Sequence, residues 1–179
     1  MHISTTQPAS LLLVFLSSGD DVIELRELVY RTVEDAVNPV LRTRGIPVRL
    51  DLDGWDRTPA HRVPPGETVN TEFVGRACAS HLVLGLLHEK LGEGTREELE
   101  AVLAKEDVQL SVIWCVEREA EWPRTPAGQW LGERQQEILA DRAGVLGGNG
   151  PAVAIFKVLL DAALGAAGLD RKVLVHEQR

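Results

Sequence analysis

The feature of this chain best equipped for chemistry is a carboxylate delivered to a helix start. It stands in Leu86-Leu87-His88-Glu89-Lys90-Leu91-Gly92-Glu93-Gly94-Thr95-Arg96-Glu97-Glu98-Leu99, which reads as the end of a buried strand, a glycine-bracketed loop and a helix start rich in carboxylates. Open α/β sheets build small-molecule sites at such strand ends. A carboxylate at such a place can act as a nucleophile or stabilise a developing positive charge. A second stretch, Val14-Phe15-Leu16-Ser17-Ser18-Gly19-Asp20-Asp21, repeats the pattern of strand, polar loop and helix. Backbone N–H groups of Ser18, Gly19 and Asp20 at a helix start can hold a phosphate; the Asp20 carboxylate repels it unless it caps the helix or binds ribose hydroxyls, and Ser17 is a further candidate for contact with the ligand. Brought together, the two loops make a nucleotide-sized pocket with one working carboxylate.

Other candidates are Trp55, which could stack on a base, His88 and Thr95, which could line the pocket, and Lys90, which could reach a phosphate. Each has a plainer reading. Thr95-x-x-Glu98 also spells a capping box, with Thr95 as N-cap and Glu98 bonding back to its N–H. Ser17 and Asp20 can be a strand end and a helix cap, Trp55 a loop anchor packed on the sheet, and Lys90 a partner of Glu89. His61, His81, His88 and His176 lack metal-ligand spacing. Asp51, Asp53 and Asp56 read as outward charges of an edge strand, so no metal is expected. A Gly-x-Gly-x-x-Gly fingerprint, a Walker loop and a Gly-x-Ser-x-Gly elbow are all missing, which argues against those nucleotide sites and a serine hydrolase.

The elements that must position these residues follow from hydrophobic patterning. With 179 residues, 44% hydrophobic and 26% charged, the chain suits one globular domain with a full core. Its net charge of −8 argues against nucleic acid as a partner. No apolar run is long enough for a bilayer, and no basic segment precedes the first one, so no membrane partner and no secretory signal are expected. A cytoplasmic protein with reduced Cys78 and Cys115 is the expectation.

Residues 11–17 and 82–87 are continuous apolar runs, the pattern of central parallel strands buried on both faces. After the first, Asp20 or Asp21 caps a helix, Asp21 and Glu24 having capping-box spacing, and the apolar stripe runs to Asn38-Pro39. Residues 48–53 alternate apolar and polar, as on an edge strand, and 54–66 form a long loop. Helices are expected over 67–78, 95–104, 131–143 and 153–167, with strands over 108–116, weakly at Val145-Leu146, and a tail at 172–177. This alternation predicts a three-layer α/β sandwich with a mainly parallel sheet. A single domain over 1–179 is expected, with its core over about 11–168 and flexible termini.

The strand ending Ser17-Ser18-Gly19-Asp20, with Arg26 in the following helix, resembles the opening of TIR-like domains of bacterial conflict and signalling proteins. The run from Gly85 to Leu99 resembles their second signature, and Gly94-Thr95-Arg96-Glu97-Glu98 also matches the Gly-Thr-x-x-Glu of nucleoside 2-deoxyribosyltransferases. His81 stands where the family has an aspartate, and His88 and Lys90 stand where it has an aromatic and an arginine. The resemblance implies a five-stranded flavodoxin-like sheet of order 2-1-3-4-5, which would set the two loops side by side. It implies Glu98 as the catalytic carboxylate and NAD or a related nucleotide as substrate, with no further cofactor. A homo-oligomer and fusion to, or activation by, a sensor module in defence or signalling are further implications. The alternatives are a non-catalytic self-associating or ligand-sensing domain, and a deoxyribosyltransferase.

Overall fold

The computed structural model describes residues 9–58, 63, 65–114, 124–134 and 150–168, together with the backbone of 139–142. Four parallel strands form the centre of the sheet in the order β2-β1-β3-β4: β1 (Ser10–Ser18), β2 (Val48–Asp53), β3 (Leu82–Leu87) and β4 (Gln109–Trp114). A four-residue strand, β5 (Leu139–Arg142), pairs in parallel along the outer edge of β4. The helices are α1 (Ile23–Thr32), α2 (Asn38–Thr43), α3 (Val69–Cys78), α4 (Glu93–Leu103), α5 (Pro126–Glu133) and α6 (Gly150–Ala166).

Two cores sandwich the sheet. Leu12, Val14 and Leu16 of β1 pack with Leu82, Leu84 and Leu86 of β3 under α1, α2 and α6. Phe15 of β1 packs with Val83 and Leu87 of β3 under α3, α4 and α5. Period-two alternation of the pleat divides the strands this way, and burial on both faces explains why β1 and β3 read as unbroken apolar runs. The three-layer parallel arrangement is therefore as expected. β1 and β3 are neighbours, while the helices that follow them, α1 and α4, cover opposite faces. That divergence opens a crevice at the carboxyl ends of the two strands.

Several local expectations give way to the tertiary structure. The first long helix does not stop at Asn38-Pro39. A π turn over Val33–Val37, closed by a bond from the Asn38 N–H to the Val33 carbonyl, carries the chain into α2. Proline has no N–H and crowds the preceding turn, and local widening accommodates it. The freed Asn38 side chain then bonds both the N–H and the carbonyl of Leu50, satisfying the outer edge of β2. Asp21 is not a cap: its Oδ2 accepts from the backbone N–H groups of Glu89 and Lys90 at 3.2 and 2.9 Å. The helix expected over 131–143 is instead α5, started at Pro126 by the Thr125 hydroxyl accepting from Gly128 N–H, with 139–142 turned into β5. Cys115, Val145-Leu146 and the 172–177 tail lie outside the described residues, and Cys78 is a partly buried free thiol. Among the described residues no helix is long and apolar enough to cross a membrane.

One glycine decides how closely α4 approaches the sheet. A Cβ on Gly85 would lie 3.2 Å from Leu99 Cδ2 and 3.3 Å from Val112 Cγ2. Gly85 pairs with Ser17 across the β1–β3 ladder, so the same close approach sets Glu98, the neighbour of Leu99, over the end of β1. Gly85→Val is expected to overpack this contact and lower unfolding free energy by roughly 1–3 kcal/mol, measured by urea denaturation. An unchanged midpoint would show that α4 is free to withdraw.

Candidate active site

Ser17 and Ser18 end β1 and are adjacent, so the pleat sends them to opposite faces of the sheet. Ser17 shares the face of Phe15, covered by α4. Its hydroxyl, with no exposed surface, donates to Glu98 Oε2 at 2.5 Å. Ser18 shares the face of Leu16, covered by α1, and its Oγ accepts from Arg26 Nε at 2.9 Å. A second guanidinium nitrogen, Nη2, donates to the Gly19 carbonyl at 2.8 Å. The crevice between these arrangements is a cleft of about 610 Å³ whose lining includes Ser18, Gly19, Thr95 and Glu98. That volume lies within the range of small-molecule sites.

Glu98 is 7% exposed, and burial pushes its carboxyl up from 4.5 to about 7; the Ser17 hydrogen bond pulls the other way and nearby Glu97 adds to the rise. The capping-box reading of Thr95 and Glu98 fails on position. α4 begins at Glu93 with Gly92 as N-cap, two residues before the expected start, so Thr95 is already inside the helix. Glu98 reaches across to β1 instead of back along its own turn.

Trp55 stands in a short 3-10 turn, Trp55–Arg57, after β2, and is 47% exposed. It is not packed on the sheet; the Arg26 guanidinium carbon lies 4.7 Å from its ring centroid, and its indole forms a wall of the cleft. Two clusters pin its loop. Arg76 on α3 bonds both carboxylate oxygens of Asp53, reaches Thr58 Oγ1 at 2.8 Å, and lies over Phe73. On the other side Tyr30 donates to Asp56 Oδ1 at 2.9 Å beneath the Arg57 guanidinium. Gly54 permits that approach, because a Cβ there would sit 2.9 Å from the Tyr30 hydroxyl oxygen.

Among the expected ligand-binding residues, Ser18, Gly19, Asp20, Trp55, Lys90, Thr95 and Glu98 line one cleft. Ser17 does not; it is buried behind the cleft and positions Glu98. His88 lines an adjoining hollow with Asp21 and Pro151 instead, its Nδ1 3.8 Å from Asp21 Oδ2. The Asp21 clamp on the 89–90 backbone turns that loop so. Lys90 and Asp20 form an exposed pair at 3.5 Å at the mouth, of little energetic weight. Asn70 and Phe73 of α3 also line it; Phe73 belongs to the inward apolar face of that helix, and nothing in the sequence singled out Asn70. His81 fills its aspartate-like position by accepting the Leu13 N–H on Nδ1 at 3.0 Å. No group of metal-ligating side chains occurs among the described residues. A hollow of about 660 Å³ beside the start of β2, lined by Glu34, Arg42 and Arg49, carries no such buried carboxyl.

No protein-family model and no curated protein matches the chain. Among solved structures, a flavo di-iron protein variant from Thermotoga maritima is 12% identical, with a TM-score of 0.41 over 90% of this chain and 37% of that one. A flavodoxin-like domain from Synechococcus sp is 13% identical, with a TM-score of 0.34 over 86% of this chain and 93% of that one. The chain thus spans little more than a third of the first of these proteins.

The Glu98 shift has a stability consequence. With a folded value near 7 and an unfolded value near 4.5, the native state holds the proton more tightly, so stability from this group is present below 4.5 and lost as pH rises through about 7. Glu98→Gln keeps an acceptor for Ser17 and removes the buried charge. The variant is expected to match the parent near pH 4.5 and to exceed it at pH 8 by on the order of 3 kcal/mol or less, seen as a higher Tm in pH-dependent melts. A Tm difference independent of pH would contradict the buried, raised carboxyl.

Proposed function

We propose that this chain is a TIR-like domain, with the five-strand order of that fold, that hydrolyses the N-glycosidic bond of NAD or a related nucleotide through Glu98. The observation that carries this reading is a buried carboxyl in the lining of a nucleotide-sized cleft, held from across the sheet by Ser17. In this reading the ribosyl C1 faces Glu98 and the C1–N bond breaks, its electron pair going to the pyridinium nitrogen of nicotinamide. The base therefore leaves neutral and needs no acid. Ionised Glu98 stabilises the ribosyl cation or closes on C1 as an ester. Water then adds at C1, releasing ribosyl product and a proton. Trp55 offers a stacking wall, and the Ser18–Asp20 turn holds another part of the ligand. A cytoplasmic, self-associating module governed by a sensor in bacterial signalling or defence is the setting this reading supplies.

Nicotinamide release from NAD by the purified protein is the test. Glu98→Ala and Glu98→Gln are expected to lose at least about 100-fold in kcat/KM. Because the carboxylate is the active form, kcat/KM in the parent rises with pH and levels off above about 7. Equal rates in all three proteins would remove Glu98 from the reaction. Binding without release, with ligand-dependent growth in mass by light scattering, would favour a sensing module. Exchange of a free base into a deoxynucleoside would favour the transferase.

A further inference from the structure

Arg26 is a buried charge. It is 3% exposed, and among the described residues no carboxylate pairs with it. Removing a cation from water costs several kcal/mol unless polar groups replace the solvent. Here the replacements are Ser18 Oγ, the Gly19 carbonyl and the face of Trp55, and all three of these residues line the cleft. The guanidinium therefore forms a second layer directly behind the cleft's β1 end.

The direction of the hydrogen bonds matters as much as the charge. A serine hydroxyl has one proton, and Ser17 donates its own to Glu98. Ser18 accepts a hydrogen bond from Arg26 Nε, so its oxygen is already an acceptor and its own hydrogen is free to donate. Neighbouring hydroxyls of one strand thus carry opposite polarity. Two carboxylates stand close to this turn, so an anion there depends on the guanidinium: Asp20 shares only an exposed pair with Lys90, and Asp21, whose Oδ2 takes the Glu89 and Lys90 N–H groups, keeps a buried Oδ1 near Gly19 that has no hydrogen-bond partner among the described residues.

We infer that Arg26, a positioning residue acting through the Ser18 hydroxyl, makes the β1 end of the cleft the seat of an anionic oxygen, selecting phosphorylated nucleotides over nucleosides. The inference rests on reading the cleft as the ligand site, but not on hydrolysis there. Ser18 donates to the phosphoryl oxygen, and the buried guanidinium fixes that hydroxyl and supplies the compensating charge. Lysine cannot reproduce this, since it lacks the planar fork that holds Ser18 and Gly19 together.

The test compares two ligands that differ by one phosphate. Nicotinamide mononucleotide and nicotinamide riboside are titrated calorimetrically into protein carrying Glu98→Gln, which prevents turnover. The mononucleotide is expected to bind about 10- to 100-fold more tightly. Adding Ser18→Ala, Arg26→Gln or Arg26→Lys should bring that ratio close to one while the riboside affinity changes little. A merely structural role for Arg26 weakens both ligands together and leaves the ratio intact, which overturns the inference. So does a failure of both ligands to bind. Should Arg26→Gln not fold, Ser18→Ala alone decides. No nicotinamide release by the parent protein, together with a mononucleotide preference in Glu98→Gln that the Ser18 and Arg26 variants abolish, would refute the hydrolase and leave this inference standing.

Discussion

One hydrogen bond organises the site: Ser17, at the end of a central strand, donates to Glu98, in the helix that follows the neighbouring strand. It joins segments 81 residues apart in the chain. It also gives the buried carboxyl a partner where water is excluded, and an unpartnered carboxylate there would be far more costly. The bond forms because Gly85 lets α4 settle against the sheet. With a side chain at that position, Leu99 would have to move outward and Glu98 with it.

The rest of the cleft repeats this logic on the other face. The pleat turns Ser18 away from Ser17, and α1 meets it with Arg26. A carboxyl is thereby held in one side of the crevice and a guanidinium cation behind the other, each bonded to a serine of the same strand. The divergence of α1 and α4 from adjacent strands produces this pairing, and no long-range charge attraction is needed to explain it. The wall bearing Trp55 depends on its own supports, Arg76 with Asp53 and Tyr30 with Asp56, which fasten the loop to α3 and α1.

Much of this was legible in the sequence because burial leaves a plain signature. The unbroken apolar runs of β1 and β3 and the alternating β2 identified centre and edge. The polar turns that follow β1 and β3 marked the crevice. Less legible was anything settled by packing between distant segments. Gly92-Glu93-Gly94 looked like a loop, yet these residues cap and open α4, which shifts Thr95 out of the cap and frees Glu98 to point at β1. Asp21 had cap spacing but was drawn to the backbone of the loop after β3. The placement of α5 turned on a proline and a threonine that start it early. Arg26 marked the resemblance without disclosing a role. The adjacency of Ser17 and Ser18, combined with the pleat, held the clue that one serine would need a partner on α1.

The central claim is that Glu98 is a buried, proton-retaining carboxyl facing a ligand cleft. Its side-chain carboxyl resonance, followed by carbon NMR through a pH titration of the free protein and of protein with ADP-ribose, tests that claim most directly. The account predicts a midpoint near 7 in the free protein and a resonance that moves when ligand is added. A midpoint at the ordinary value near 4.5, with a resonance indifferent to ligand, would contradict it.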